Sequence, residues 1–291
     1  MKTPPHMLTL GLVRAVLLTL MLVSLVACKE TPTPTPLPTP TLPALPPGDV
    51  ATTMSFGGLE RRYELHVPPS YTGTPVPLVV VLHGGGPSQE DVKIMKEVTG
   101  FDAKADAAGF LVVYPVAIED AWNDGRGVTK YRSHRESIDD VGFITALVDR
   151  IASMTPIDRA RVYVTGASNG GMMSYRLACD RPDRFAAVAA VIANVPTRLV
   201  CAPGHTVPVL VMNGTDDPMM PYEGGHVHFG SEQLGEVLST DQTVAKWVQM
   251  NGCSSTPSTE SLPNRAPLDG TRLIGAPCRL SRLIRGDALS R

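Results

Sequence analysis

The sequence predicts an α/β domain, a mostly parallel β-sheet with helices on both faces. Three observations predict it. Short β-branched runs alternate with helix-period stretches from about residue 77 to residue 250, the pattern of strands joined by helical crossovers. Residues 77–82 (PLVVVL) are apolar without interruption, as in a strand covered on both faces. Gly166-Ala167-Ser168-Asn169-Gly170 stands between the strand-like RVYVT and the helix-like GMMSYRLAC, so a tight turn joins one to the other.

The elements follow in order. Lys2 and Arg14 precede an apolar run at 15–27 (AVLLTLMLVSLVA). It is shorter than the roughly 20 residues a bilayer core requires and suits the apolar region of a signal peptide. It ends in Leu25-Val26-Ala27-Cys28, which resembles a bacterial lipobox and implies cleavage before Cys28 and lipidation of its thiol. Residues 31–47 (TPTPTPLPTPTLPALPP) carry proline at nearly every second position. Proline removes N–H donors and fixes φ, so this reads as an extended spacer. The expected organisation is a leader at 1–27, the lipidated Cys28 and linker at 28–48, a folded α/β domain at 49–270 and an atypical tail at 271–291. Such a chain is exported and either anchored by lipid to the outer face of a bacterial membrane or secreted.

Within the domain, residues 51–67 read as two strands turning at Gly57-Gly58, a hairpin signal. After the strand at 77–82 come a helix-period stretch at 89–108, a strand at 110–114, a helix at 139–153, a strand at 161–165 and a helix at 170–179. A strand at 187–192, a strand at 207–212 and a helix at 240–250 complete the pattern. Asp139 and Asp140 read as the N-cap and first-turn acid of the helix that follows them.

Charge and cysteines narrow the chemistry. Lys and Arg total 26 against 28 Asp and Glu, which gives no electrostatic reason to expect a nucleic-acid partner. Besides Cys28 there are Cys179, Cys201, Cys253 and Cys278, an even count that suits disulfides in an exported protein. Three pairings are open. The pairs Cys179–Cys201 and Cys253–Cys278 are favoured because each closes a local loop. No Cys-x-x-Cys or His-x-x-x-His spacing points to a metal site.

The serine turn carries the sharpest chemical signal. A serine on such a turn is forced outward at the carboxyl edge of the sheet, and glycines two residues to either side avoid clashes with the neighbouring strand. The competing reading is a serine that only caps its helix. His83-Gly84-Gly85-Gly86 follows the strand at 77–82; the Gly84 and Gly85 backbone, together with the N–H of Asn169, makes a candidate oxyanion hole. His83 reads as a structural part of that loop. An acid should follow the serine in the chain, and Asp217, with Asp216 second, lies on the loop after the strand at 207–212. An Asp-Pro turn is the plainer explanation of Asp217.

Taken together, LVVVLHGGG, AWNDGRG at 121–127, DDVGF at 139–143, RVYVTGASNGGMMSYRLAC at 161–179 and NGTDDPMMPYEGG at 213–225 resemble the secreted esterase/polyhydroxybutyrate depolymerase family, which includes feruloyl- and acetyl-xylan-type esterases. The resemblance covers roughly residues 50–265. It implies an α/β-hydrolase fold, a Ser-Asp-His triad, an ester substrate (small or polymer-attached) and no cofactor. Ser168 falls on the nucleophile and Asp217 on the acid; Trp122 falls in a segment that can line the acyl cleft, and a core or rim tryptophan is an equal reading.

The resemblance also implies a last strand followed by a histidine in a Gly-Gly-His-Thr-Trp-like setting. No such motif occurs here. Beyond Asp217 the only histidines are His226 and His228, which precede the helix at 240–250. They can serve only if residues 221–230 fold back over Ser168; His134 and His205 fit the chain order less well. Residues 273–291 (LIGAPCRLSRLIRGDALSR) carry four arginines, no aromatic residue and little strand alternation. The expectation is therefore a domain lacking its last strand and catalytic histidine, with Cys278 displaced from its family-like position. Two functions compete: a serine carboxylic-ester hydrolase, and a catalytically silent surface lipoprotein that binds ligand in the retained cleft. A composition of this kind fits out-of-frame translation. Resequencing the locus is expected to reveal a frame change near codon 272, and a confirmed frame would dismiss it.

Overall fold

A computed structural model describes residues 42–86, 91–119, 121–254, 256, 258–261, 272–275 and 282–286. Cys28, the leader, most of the proline-rich segment and Cys278 lie outside the described residues. From Leu42 onward the chain forms one compact unit. No described helix is long and apolar enough to cross a membrane.

Strands β1 (Gly48–Phe56) and β2 (Leu59–Val67) form the expected hairpin. Gly57 and Gly58 both have positive φ (59° and 76°), the backbone a two-residue hairpin turn demands. β3 (Val76–Leu82) and β4 (Leu111–Pro115) follow, separated by helices α1 (Asp91–Thr99) and α2 (Phe101–Ala108). The single helix-period stretch expected at 89–108 is thus two helices, because Gly100 between them adopts φ 60°. A short helix, α3 (Arg132–Arg135), was not expected. Helix α4 (Asp140–Met154) opens as read, with the Asp139 side chain accepting from the N–H of Gly142 at 2.8 Å. β5 (Ile157–Ala167), α5 (Asn169–Asp180), β6 (Ala187–Val191) and β7 (Val209–Gly214) come next. A hairpin of β8 (Gly225–Phe229) and β9 (Glu232–Val237) precedes α6 (Thr240–Met250), whose N-terminus is closed by a reciprocal Ser239–Gln242 capping box.

The main sheet has the order β1-β2-β4-β3-β5-β6-β7-β12-β11-β10, with β10 (Ser258–Ser261), β11 (Arg272–Gly275) and β12 (Arg282–Gly286) at one end. From β4 through β12 the neighbours β4, β3, β5, β6, β7 and β12 run parallel. Alternate residues of the central strands point to opposite faces. Leu78, Val80 and Leu82 join the larger core cluster, while Val81 packs with Met95, Ala105, Val112 and Tyr114 on the other side. Both faces are therefore covered, which is why β3 and β4 read as unbroken apolar runs.

One expectation is corrected. The last strand is not missing: Leu283–Gly286 pair in parallel register with Val211–Gly214. Its five residues carry only two apolar side chains and no alternation; the open edge of β7 makes a strand of them, and an edge is a property of the sheet. Residues just before Gly48 touch the domain. The Thr155 hydroxyl donates to the carbonyl of Pro43 at 3.0 Å, and Leu45 packs on the core. Proline carbonyls remain good acceptors although the ring removes the donor.

A charged cluster ties β1, β2, α1 and α2 together. His66 Nδ1 meets Asp49 at 2.7 Å and Nε2 meets Asp106 at 3.0 Å, with Asp102 at 3.9 Å. Asp49, His66 and Asp102 have the spacing of a metal-ligand set, but the Lys96 ammonium is seated among Asp49, Glu64 and Asp102. Burial lowers the His66 pKa, and the hydrogen bonds to Asp49 and Asp106 outweigh it, so the net shift is upward. A raised folded-state pKa gives stability that is complete below the unfolded value, near 6.5, and is lost as pH rises through the folded value. The urea midpoint deficit of His66→Asn against the unsubstituted chain is accordingly expected to be larger at about pH 6 than at about pH 9. An equal deficit at both would show that the imidazolium charge is not the source.

Candidate active site

The parallel strands bring three loops to one edge. β3 runs into His83-Gly84-Gly85-Gly86, β5 into Ser168, and β7 into the segment carrying Asp217. Leu82 pairs with Gly166, Ala167 with Val191, and Val191 with Met212, so all three loops leave the same carboxyl edge, where open α/β sheets bind their ligands.

Ser168 has φ 51° and ψ −117°, a conformation seldom adopted by a residue with a side chain and one that marks stored strain. Its amide is held by the Val191 carbonyl at 2.8 Å. It occupies the N-cap position of α5, yet its hydroxyl makes no capping bond. The capping explanation of this serine therefore fails. A Cβ on Gly170 would lie 2.4 Å from the His83 carbonyl oxygen, and one on Gly166 would lie 2.4 Å from the Gly170 carbonyl carbon. These glycines let helix α5 press against the end of β3.

Gly84 sits beside the serine: a Cβ built on it would stand 3.7 Å from Ser168 Cβ. Gly85 is exposed. His83 is buried and holds this loop. The amide of Ala117 donates to Nε2 at 3.0 Å, so the proton sits on Nδ1, which reaches the Gly84 carbonyl at 2.7 Å. Burial pushes its pKa down to about 4, which keeps it neutral and structural, as expected.

Of the two readings of Trp122, the core one matches its burial: the side chain is 0% exposed. Its indole N–H donates to the His83 carbonyl at 3.1 Å, and the two rings lie 5.0 Å apart. Its backbone N–H and carbonyl meet the side-chain amide of Asn169 at 2.7 and 3.0 Å. The tryptophan thus ties the loop after β3 to the residue after Ser168.

Residues that the sequence presented only as motif letters complete this framework. Asp140 accepts from Arg61 at 2.6 Å and from the Asn123 amide at 2.8 Å, with both ion-pair side chains fully buried. Burial raises the Asp140 pKa against the opposing Arg61 charge. The Arg61 guanidinium also lies 3.8 Å over the Phe143 ring. Asp140 is therefore more than a first-turn helix acid; it holds the 121–124 loop. The one readable sign was its place in DDVGF, since nothing local identifies Arg61 as its partner.

Asp217 is half-buried, and its Oδ1 accepts from the amides of Met219 and Met220 at 2.8 and 3.0 Å. It does form a turn, but the turn uses one carboxylate oxygen. Asp216 is exposed. His226 pairs with Glu236 across the β8–β9 hairpin at 3.3 Å, and His228 and His205 are exposed. The His134 side chain is buried, 3.5 Å from Asp124, and burial lowers its pKa. Among the described residues no imidazole is hydrogen-bonded to Ser168 or Asp217, and His226 and His228 lie on β8 of the β8–β9 hairpin.

Cys179 and Cys201 form the expected disulfide, with Cα atoms 4.9 Å apart. The Cys253–Cys278 pairing involves a partner outside the described residues. The β8–β9 hairpin was not anticipated, although Val227, Leu234 and Val237 are buried along strands turning at Gly230-Ser231. Its polar-rich alternation was the available signal.

The packing at the turn makes a direct prediction. Gly170→Ala is expected to lower stability by about 1–3 kcal/mol or more in urea denaturation, because the new methyl meets rigid backbone. A variant as stable as the parent would show that α5 can move off β3.

The comparisons with known proteins agree with this geometry. The sequence pattern described as Esterase PHB depolymerase matches residues 61–202. Putative esterase NocK of Nocardia uniformis subsp. tsuyamanensis is 33% identical over 234 residues, covering 76% of this chain and 67% of NocK. Feruloyl esterase C of Emericella nidulans is 29% identical over 170 residues, covering 57% of this chain and 58% of that protein. The chain thus spans only part of the length of these relatives. Among solved structures, an acetyl xylan esterase from Aspergillus awamori superposes with a TM-score of 0.57 at 17% identity, over 83% of this chain and 93% of that one. With the strand order, the serine turn and these likenesses together, the chain belongs to the esterase/polyhydroxybutyrate depolymerase family of carboxylic-ester hydrolases, built on the α/β-hydrolase fold.

Proposed function

We propose that the protein hydrolyses carboxylic esters through an acyl-enzyme on Ser168. The observation that carries this is the strained backbone of Ser168, which leaves an uncapped hydroxyl at the carboxyl edge beside Gly84. Ser168 Oγ attacks the ester carbonyl as its proton passes to a general base, and the negative oxygen that develops is received by backbone N–H groups of Gly84 or Gly85 and of Asn169. Collapse expels the alcohol, which takes that proton from the base; water, giving a proton to the base in turn, then releases the acid and restores the serine. Asp217 is the acid that orients that base, and one of its carboxylate oxygens is held by its turn. Feruloyl or acetyl esters on polysaccharide and hydroxyalkanoate esters are the substrate classes, and the site requires no cofactor. The domain works outside the cell, held by a lipid on Cys28 or released.

A second reading has its own observation. The 291 residues contain no histidine beyond His228, and no described imidazole meets Ser168. Without a base the serine keeps its proton and is a poor nucleophile, so the alternative is a surface lipoprotein that binds ligand in the retained cleft without turnover. A fluorophosphonate probe is expected to label the unsubstituted protein and not Ser168→Ala, and turnover of p-nitrophenyl butyrate should fall by at least about 10³-fold in that variant. Labelling that survives Ser168→Ala would remove Ser168 from the mechanism. Neither labelling nor turnover in the unsubstituted protein would establish the silent reading.

A further inference from the structure

Asp124 is a fully buried carboxylate that the mechanism above does not use. Its Oδ1 accepts the backbone amide of Arg126 at 3.0 Å. Its Oδ2 accepts both Arg126 Nε at 2.8 Å and Asn169 Nδ2 at 2.6 Å. Arg126 is itself buried, and its Nη1 donates to the Leu234 carbonyl of β9 at 2.8 Å. It also lines a cavity of about 610 Å³ with Lys130, Arg198 and His226. The Asn169 side chain accordingly has all of its donors engaged: Nδ2 to Asp124 and to the Trp122 carbonyl, while Oδ1 receives the Trp122 amide.

A side-chain amide saturated in this way cannot change rotamer without breaking a buried hydrogen bond. The residue it belongs to supplies the backbone N–H immediately after the nucleophile. A buried ion pair adds little stability over an apolar packing of similar volume, so stability alone is a weak reason for one beside Ser168. A neutral acceptor would serve less well, because one oxygen must accept from a guanidinium and an amide together.

We infer that Asp124 is a positioning residue for ester hydrolysis: charge-balanced by Arg126, it fixes the Asn169 side chain and through it the aim of the Asn169 N–H at the oxyanion. The inference rests on the Ser168 reading given above. It concerns aim, so it acts on the transition state more than on substrate binding.

The test is a double-mutant cycle on p-nitrophenyl butyrate with the full chain, using Asp124→Asn, Asn169→Ala and both together, with thermal melts alongside. Each single variant is expected to lose about 10- to 100-fold in kcat with KM changed less than about twofold. The double variant should be no slower than Asn169→Ala alone, because Asp124 acts through that side chain. If Asp124→Asn does not fold, Asn169→Ala decides the matter, since it keeps the backbone N–H and the Asp124–Arg126 pair; an unchanged kcat there overturns the inference. Losses that multiply in the double variant overturn it too, as does a rise in KM alone. An active parent with an unaffected Asp124→Asn sinks this inference and leaves the Ser168 reading standing. A parent that neither turns over the ester nor takes the fluorophosphonate sinks both.

Discussion

The site depends on one buried tie: Trp122, whose backbone grips the Asn169 side chain and whose indole grips the His83 carbonyl. The loop after β3 and the start of α5 are separate pieces of chain that must stand at a fixed separation if their amides are to converge on one oxygen. Gly170 allows them to approach, and Trp122 fixes how they approach. Because the indole is wholly buried, its N–H needs a protein acceptor. That need, met at His83, pins the loop.

Around this tie the protein buries two ion pairs. Arg61–Asp140 reaches the Asn123 amide and Arg126–Asp124 reaches the Asn169 amide, so two ion pairs meet at adjacent residues of the same short loop. Each ion is paired with an opposite charge, the first condition under which a low-dielectric interior tolerates it. The Arg61 guanidinium, whose Nε and Nη1 have no hydrogen-bond partner among the described residues, lies over the Phe143 ring. The result is a rigid support behind a serine that must keep a strained backbone. The strain at Ser168 persists because its amide is bonded to Val191 and its helix is packed on β3.

Much of the fold was legible in the residues. The Gly57-Gly58 turn, the Asp139 cap, the buried strands at 76–82 and 111–115, the serine turn and the Cys179–Cys201 pair are local features, and each was readable. The misreadings have physical reasons. A helix-period stretch hid the break at Gly100, since one glycine in a helix is tolerated until its φ turns positive. Trp122 left cleft and core equally open because a single aromatic among polar neighbours gives no sign of which side it faces. The hairpin at 225–237 has few apolar residues, and its strands pair mainly with each other.

The sequence by itself determined the layered α/β class and the outward serine, because periodicity, β-branching and the glycine requirement of a tight turn act within a few residues. Only the tertiary structure decided what supports that serine. Asn169 finds Trp122 at a distance of 47 residues in the chain, Arg61 finds Asp140 at 79, and Arg126 finds Leu234 at 108. The strand at 282–286 exists because β7 offers it an edge. Partners so remote are chosen by which strands lie side by side, and no local pattern encodes that choice.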